Sequence, residues 1–193
     1  TPLTRMRLQL ALMTNNEDTK AISSDISEME EMIDGYLAFA AGEGDEAPQE
    51  LAVDELLNRL VTQAQKSHKF DITLSPVKDE IPAFPMRRNA IQRAFSNIIS
   101  NAIRYSTKTI VAIRMRNDEV IITFDDNGAG IPQERRADAI RPFIRLEESR
   151  NRRTGGAGLG LSITSDVILS HGGELTLGDS PLGGLRVAIK LPV

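Results

Sequence analysis

Cysteine and tryptophan are absent from the 193 residues, and histidine occurs twice, at His68 and His171. Without cysteine there is no disulfide scaffold, no thiolate zinc site and no thiol nucleophile, and two histidines are too few for most metal or triad chemistry. An excess of positive charge is also missing. Lys and Arg number 23 against 27 Asp and Glu, a net charge of -4, which argues against a domain that holds nucleic acid by neutralising phosphates. No stretch approaches the ~18 consecutive apolar residues of a membrane span, and no charged-then-apolar leader precedes a cleavage site. The chain as given therefore reads as soluble, with no membrane contact of its own. Its 40% hydrophobic and 26% charged residues are enough to close a core, which excludes wholesale disorder. It opens Thr1-Pro2-Leu3 directly on a helix-like pattern, without an initiator Met, and so reads as starting inside a longer protein.

Two hydrophobic periods divide the chain. Leu3, Met6, Leu10 and Met13 recur at helical spacing behind Pro2, which predicts a short helix over 3–14 that ends at Asn15-Asn16. From about Asp18 to Ala41, the positions Ile22, Ile26, Met29, Ile33, Tyr36 and Ala40 alternate steps of four and three residues, the seam of a coiled coil or bundle. The two helices form an antiparallel hairpin over 1–41, and its unburied stripes call for a partner, a second copy of the chain. The Gly, Pro and acidic stretch beginning at Gly42 reads as a linker over 42–51. The rest, 52–193, mixes both periods. Helices are expected over about 53–68, 87–105 and 159–171, and strands at about 70–74, 110–116, 120–125, 174–178 and 185–191. Asn117-Asp118 makes a hairpin of the middle two strands. This alternation predicts an α/β domain, a two-layer sandwich. Its core includes Ile91, Ala94, Phe95, Ile98 and Ala102, on one face of the second helix.

Three segments of this domain carry chemistry. On the helix around 97–105, Asn97, Asn101 and Arg104 share a face at steps of four and three. Solvent exposure is the bland account of two such Asn. The functional one is a neutral amide oxygen for magnesium, whose charge phosphates mostly balance, with Arg104 on a phosphate oxygen. Next, Asp126-Asn127-Gly128-Ala129-Gly130-Ile131-Pro132 follows a strand directly. Common as a turn, it also offers a carboxylate that accepts an exocyclic amine beside glycines that allow close approach, which favours adenine over guanine. Third, Gly155-Gly156-Ala157-Gly158-Leu159-Gly160-Leu161 runs into a helix. It is either a flexible turn or a row of backbone N–H groups at a helix N-terminus, suited to phosphate. No Gly-Lys-Ser/Thr follows and no strand leads directly into it, so neither the P-loop nor the Rossmann fingerprint applies.

In order and spacing these segments resemble the N box and two glycine boxes of the GHKL ATPases, most closely those of sensor histidine kinases. Arg141-Pro142-Phe143-Ile144-Arg145 resembles their F box and Gly183-Gly184 their last glycine motif. Thr1-Pro2-Leu3-Thr4-Arg5-Met6-Arg7 looks like the continuation of the phospho-acceptor motif His-Asp/Glu-Leu-Arg-Thr-Pro-Leu of EnvZ-like osmosensor kinases. The resemblance implies the dimerisation hairpin and ATP-binding domain of a protein-histidine kinase, which transfers the γ-phosphoryl of ATP to a His and then to a response regulator receiver domain. It implies ATP and magnesium as cofactors, with Asp126 on the adenine amine, Asn101 on the metal, and Asn97, Arg104 and Tyr105 along the nucleotide and phosphates. Gly128, Gly130, Gly156, Gly158 and Gly160 supply backbone approach, and Ile131 and Leu159 fall at the cofactor. A lid over about 133–155 carries Phe143 as its packing residue and Arg150, Arg152 and Arg153 near the phosphates; a solvated loop is the alternative reading of that Arg run. The acceptor His would lie four residues before Thr1, so the fragment is expected not to autophosphorylate. Thr1 matches the position that orients water for dephosphorylating the regulator. The fragment is expected in the cytoplasm, and its parent anchored in a bacterial inner membrane and dimeric through the hairpin. Two alternatives remain: a non-catalytic ATP-binding regulatory module, and a hydrolysing GHKL ATPase. The latter carries a Glu general base where this helix has Asn97.

Overall fold

A computed structural model describes residues 2–11, 19, 22, 23, 26, 46–142, 144 and 159–193. Helix α1 spans Pro2–Ala11, and Thr19, Ile22, Ser23 and Ile26 are helical too. Of the expected hairpin seam, Ile26 is buried and Ile22 is exposed; Met29, Ile33, Tyr36 and Ala40 lie outside the described residues.

From Glu46 onward the chain builds an α/β sandwich. Five strands form one sheet: β2 (Asp71–Leu74), β4 (Lys108–Arg116), β5 (Glu119–Asp126), β7 (Leu185–Pro192) and β6 (Glu174–Asp179), in that spatial order. The β2–β4 pair is parallel and the other neighbours are antiparallel. Three helices, α2 (Val53–His68), α3 (Arg88–Tyr105) and α5 (Gly160–Ser170), supply the other layer.

Alternation dictates the packing. Val111 and Ile113 of β4, Val120, Ile122 and Phe124 of β5, and Val187, Ile189 and Leu191 of β7 are buried at every second position. They share one core with Leu56 and Leu57 of α2, Ile91, Ala94, Phe95 and Ile98 of α3, and Val167 and Ile168 of α5. Phe95 meets Phe124 with ring centroids 6.0 Å apart. The turn between β4 and β5 holds Asn117 at φ 50° and Asn117's neighbour Asp118 at φ 59°, the paired left-handed residues of a type I′ hairpin that Asn and Asp tolerate.

Three features were not part of the sequence expectation. Gln49–Leu51, inside the stretch read as linker, form β1 and pair antiparallel with β3 (Phe84–Met86), burying Leu51, Phe84 and Met86. Glu46 of the same stretch accepts the N–H groups of Asn89 at 2.8 Å and Ala90 at 3.3 Å. It thus caps α3 with a carboxylate from outside the helix, where the helix dipole favours negative charge. Third, the beginning of the expected lid is helical: a 3-10 turn at Gln133–Arg135 leads into α4, Arg136–Ala139.

Both histidines sit at helix ends. His68 is the exposed last residue of α2. The His171 Nε2 accepts the Arg87 backbone N–H at 3.0 Å, so its Nδ1 carries the proton and donates to the Val167 carbonyl at 2.7 Å. That ring ties the end of α5 to the start of α3.

Candidate functional site

The site is built where the C-terminal half of α3 meets the end of β5 and the start of α5. Its apolar side buried in the core, α3 turns Asn97, Asn101, Arg104 and Tyr105 away from it, all at least partly exposed. The Asn97 Nδ2 donates to the Gly160 carbonyl at 3.4 Å. Thr164 Oγ1 reaches the Gly160 carbonyl at 2.8 Å and the Ala94 carbonyl at 3.3 Å, so α5 begins against this face. A Cβ on Gly160 would sit 3.7 Å from Asn101 Nδ2, which shows how near the two elements run. The first turn of α5 presents N–H groups ahead of its first helical bond, from Ile163 N to the Leu159 carbonyl at 2.9 Å. Leu159 buries its side chain in the core and its carbonyl accepts from Ile163 N and Ser162 Oγ, leaving its backbone N–H for any ligand. Among the described residues, the Asn101 and Arg104 side chains make no hydrogen bond or ion pair; their polar groups stand open.

At the other end Asp126 closes β5. Its Oδ1 accepts two backbone N–H groups, Gly128 at 2.8 Å and Leu185 at 3.0 Å, and its main-chain carbonyl accepts Gly184 N–H at 3.1 Å. Among the described residues Oδ2 has no partner. One carboxylate oxygen is therefore fixed by the fold and the other is open to a ligand N–H.

Glycine is obligatory at two places here. A Cβ on Gly128 would collide with the Tyr105 carbonyl, and one on Gly184 with Asp126 Oδ1 and the Gly128 nitrogen. The glycine loop consequently lies directly on the last turn of α3, one turn from Asn101. Gly130, at φ 69°, approaches the Gly184 carbonyl. The next residue, Ile131, offers its carbonyl to Arg136 Nε at 3.0 Å, and Arg136 also pairs with Asp179. Those bonds anchor the start of the expected lid to β6.

Sequence reasoning missed Asn127. Its Oδ1 accepts the N–H groups of Thr107 at 3.0 Å and Lys108 at 2.9 Å, and its Nδ2 donates to Thr107 Oγ1 at 3.0 Å. Asn127 thereby staples the α3–β4 turn to the glycine loop. The signal was present, since Asn between Asp and Gly is a side chain that bonds nearby backbone, but its partners lie in another turn. Thr1, Phe143, Arg150, Arg152, Arg153, Gly156 and Gly158 lie outside the described residues, so Asn97, Asn101, Arg104, Tyr105, Asp126, Gly128, Gly130, Ile131, Leu159 and Gly160 carry the geometric argument.

No group of three or more His, Cys, Asp or Glu able to hold a metal ion occurs among the described residues. A divalent ion here would have to bring oxygen ligands with it, as a polyphosphate complex does, and a neutral Asn101 amide oxygen suits that division of ligands.

Known proteins share this fold. Residues 86–193 match the family model for histidine kinase-, DNA gyrase B- and HSP90-like ATPases. The whole chain is 34% identical to the sensor histidine kinase CpxA of Escherichia coli strain K12, of which it covers 44%; it thus spans less than half the length of that relative. The crystal structure of the ATP-binding domain of PrrB from Mycobacterium tuberculosis superposes with a TM-score of 0.61 at 27% identity, covering 77% of this chain and 98% of that one. Full-length ShkA in complex with AMPPNP shares the fold, with a TM-score of 0.71 at 18% identity, over 95% of this chain and 40% of that one.

Proposed function

Because the chain belongs to the histidine kinase-, DNA gyrase B- and HSP90-like ATPases, we propose that it is the catalytic portion of a two-component sensor histidine kinase, binding Mg-ATP and passing the γ-phosphoryl to a His. The observation that carries this reading is the half-satisfied Asp126 carboxylate at the end of β5, with Oδ1 held by Gly128 and Leu185 and Oδ2 open, beside the glycine loop that lies on the last turn of α3, one turn from Asn101. Oδ2 accepts the adenine amine, and the Tyr105 and Gly128 backbones flank the base. Asn97, Arg104 and the N-terminus of α5 face the phosphates; Asn101 Oδ1 would hold magnesium. When bound, magnesium offsets phosphate charge during transfer. The chain's own residues position and stabilise charge, so none need act as a nucleophile.

By the same resemblance, Gly130, Gly156 and Gly158 give the nucleotide close backbone approach beside Ile131 and Leu159, Phe143 packs a lid, and Arg150, Arg152 and Arg153 meet the phosphates. We assign 1–41 to a dimerisation hairpin and 52–193 to the catalytic domain, joined through 42–51, and assign Thr1 to dephosphorylation of the regulator. The partner is a response regulator receiver domain. The setting is cytoplasmic, below a membrane anchor in the parent; among the described residues no helix is long and apolar enough to cross a membrane. Asn97, where hydrolysing relatives are expected to carry Glu, and its amide bond to Gly160 support transfer over hydrolysis.

The test is phosphoryl transfer in trans. The chain is incubated with γ-labelled ATP, magnesium and a helical hairpin bearing an acceptor His. Acid-labile label is expected on the hairpin and none on the chain, whose His171 ring is engaged at both nitrogens. Release of free phosphate with no labelled hairpin would overturn the kinase reading in favour of hydrolysis.

A further inference from the structure

Asp126 is aimed by β7, and the last rung joining β5 to β7 is an ion pair. Asp125 stands directly opposite Arg186 in the antiparallel register. The guanidinium meets the carboxylate with two parallel bonds, Nε to Oδ1 at 2.7 Å and Nη2 to Oδ2 at 2.8 Å. The Asp125 side chain is 8% exposed and that of Arg186 40%. Bidentate pairs of this kind fix direction as well as distance. The bond to Asp125 also holds the Arg186 guanidinium above its ordinary value, so the arginine stays charged.

The pair cannot touch a nucleotide bound at Asp126. Successive side chains of a strand point to opposite faces, so Asp125 projects from the sheet face away from the helices and Asp126 from the site face. Beyond this rung the β5–β7 ladder stops: on that side Asp126 meets Leu185 N–H through its side chain and Gly184 N–H through its carbonyl. Leu185 directly precedes Arg186. A strand end that frays carries its neighbours with it, and here fraying would withdraw the Leu185 N–H that orients Oδ1 and hence Oδ2.

We propose that Arg186, acting through Asp125, is a positioning residue for base recognition: the ion pair on the reverse face of the sheet locks the β7 start that presents Asp126 to the 6-amino group of adenine. The inference rests on Asp126 as the adenine acceptor. Gly184 makes the coupling tight, because no Cβ fits between it and Asp126, so a shift of β7 at this point is transmitted to the carboxylate.

Removing Arg186 alone would leave a buried carboxylate uncompensated and endanger folding. The working variant is therefore the double substitution Asp125→Thr with Arg186→Thr, which removes both charges and leaves a cross-strand Thr pair compatible with a sheet. Calorimetric titration of the 193-residue chain compares ATP with purine riboside triphosphate, which lacks the 6-amino group, in parent and variant. The expected result is a loss of about tenfold in ATP affinity, the scale of a weakened bond to a charged group, with the amine-free analogue bound as before. A preference for ATP that persists unchanged in the variant, even alongside a lower Tm, overturns the positioning role and leaves Asp126 as the acceptor. Equal binding of both nucleotides by the parent chain overturns the Asp126 assignment and this inference together.

Discussion

The two ends of the proposed nucleotide site are built on opposite plans. At the Asp126 end nearly every polar atom is committed: Oδ1 to two backbone N–H groups, the carbonyl to Gly184, Asn127 to the Thr107–Lys108 turn, Asp125 to Arg186. At the α3–α5 end, Asn97 makes one long bond of 3.4 Å, and Asn101 and Arg104 make none among the described residues. The difference fits what each end is proposed to meet. A neutral amine gives one hydrogen bond whose worth depends on direction, so its acceptor is over-determined by the sheet. Phosphates bring strong charge, which rewards groups left in water until the ligand arrives and makes rigid prior pairing unnecessary.

Three substitutions sharpen that contrast, the first with the largest expected effect. Asp126→Asn turns an ionic acceptor into an amide and is expected to weaken ATP binding by about 1.5–3 kcal/mol, the range for a bond to a charged group. The preference of ATP over GTP should narrow too, since the amide NH₂ can turn toward the guanine carbonyl. Calorimetry of both nucleotides against both proteins decides it: an unchanged ratio with lower thermal stability would mean that Asp126 only caps the glycine turn.

Next comes Asn101→Ala, which tests the open end. Affinity for Mg-ATP should fall by about tenfold, as for the loss of one ligand to a partly hydrated ion, whereas binding of ATP in the presence of chelator should be unaltered. Equal losses with and without magnesium would shift Asn101 from the metal to the nucleotide itself.

The smallest effect is expected from Glu46→Ala. Loss of this carboxylate from the start of α3 should reduce stability by about 1 kcal/mol, read as a Tm lower by about 2–4 °C for a domain of this size. Base preference should not change, because the cap lies at the far end of α3 from Tyr105. A change in the ATP-to-GTP ratio would show that the closed end and the helix start are mechanically joined.

Much of this was legible beforehand because its causes are local. The helical stripe of α3, the alternation in β4, β5 and β7, and the Asn117-Asp118 turn each follow from residues within a few positions of one another, and each appeared within a residue or two of its expected bounds. The strands β1 and β3 escaped because Gln49–Leu51 and Phe84–Met86 are too short to show a period, and Pro85 argues against a strand. Glu46 was read as part of an acidic linker since its partners, Asn89 and Ala90, lie 43 and 44 residues away.

By itself the sequence determined the two-layer α/β class, the buried faces, and which residues could do chemistry: Asp126 after a strand, Asn97 and Asn101 on one helical face, glycines where a backbone must be reached. Those are consequences of covalent spacing and of the periods of helix and strand. The tertiary structure decided which oxygen of Asp126 is spent and which is free, because the bond that settles it comes from Leu185, 59 residues away. It also decided that Gly128 and Gly184 must lack a side chain, because the obstructing atoms belong to Tyr105 and Asp126. Only packing brings those groups within contact distance, so no local pattern could have contained them.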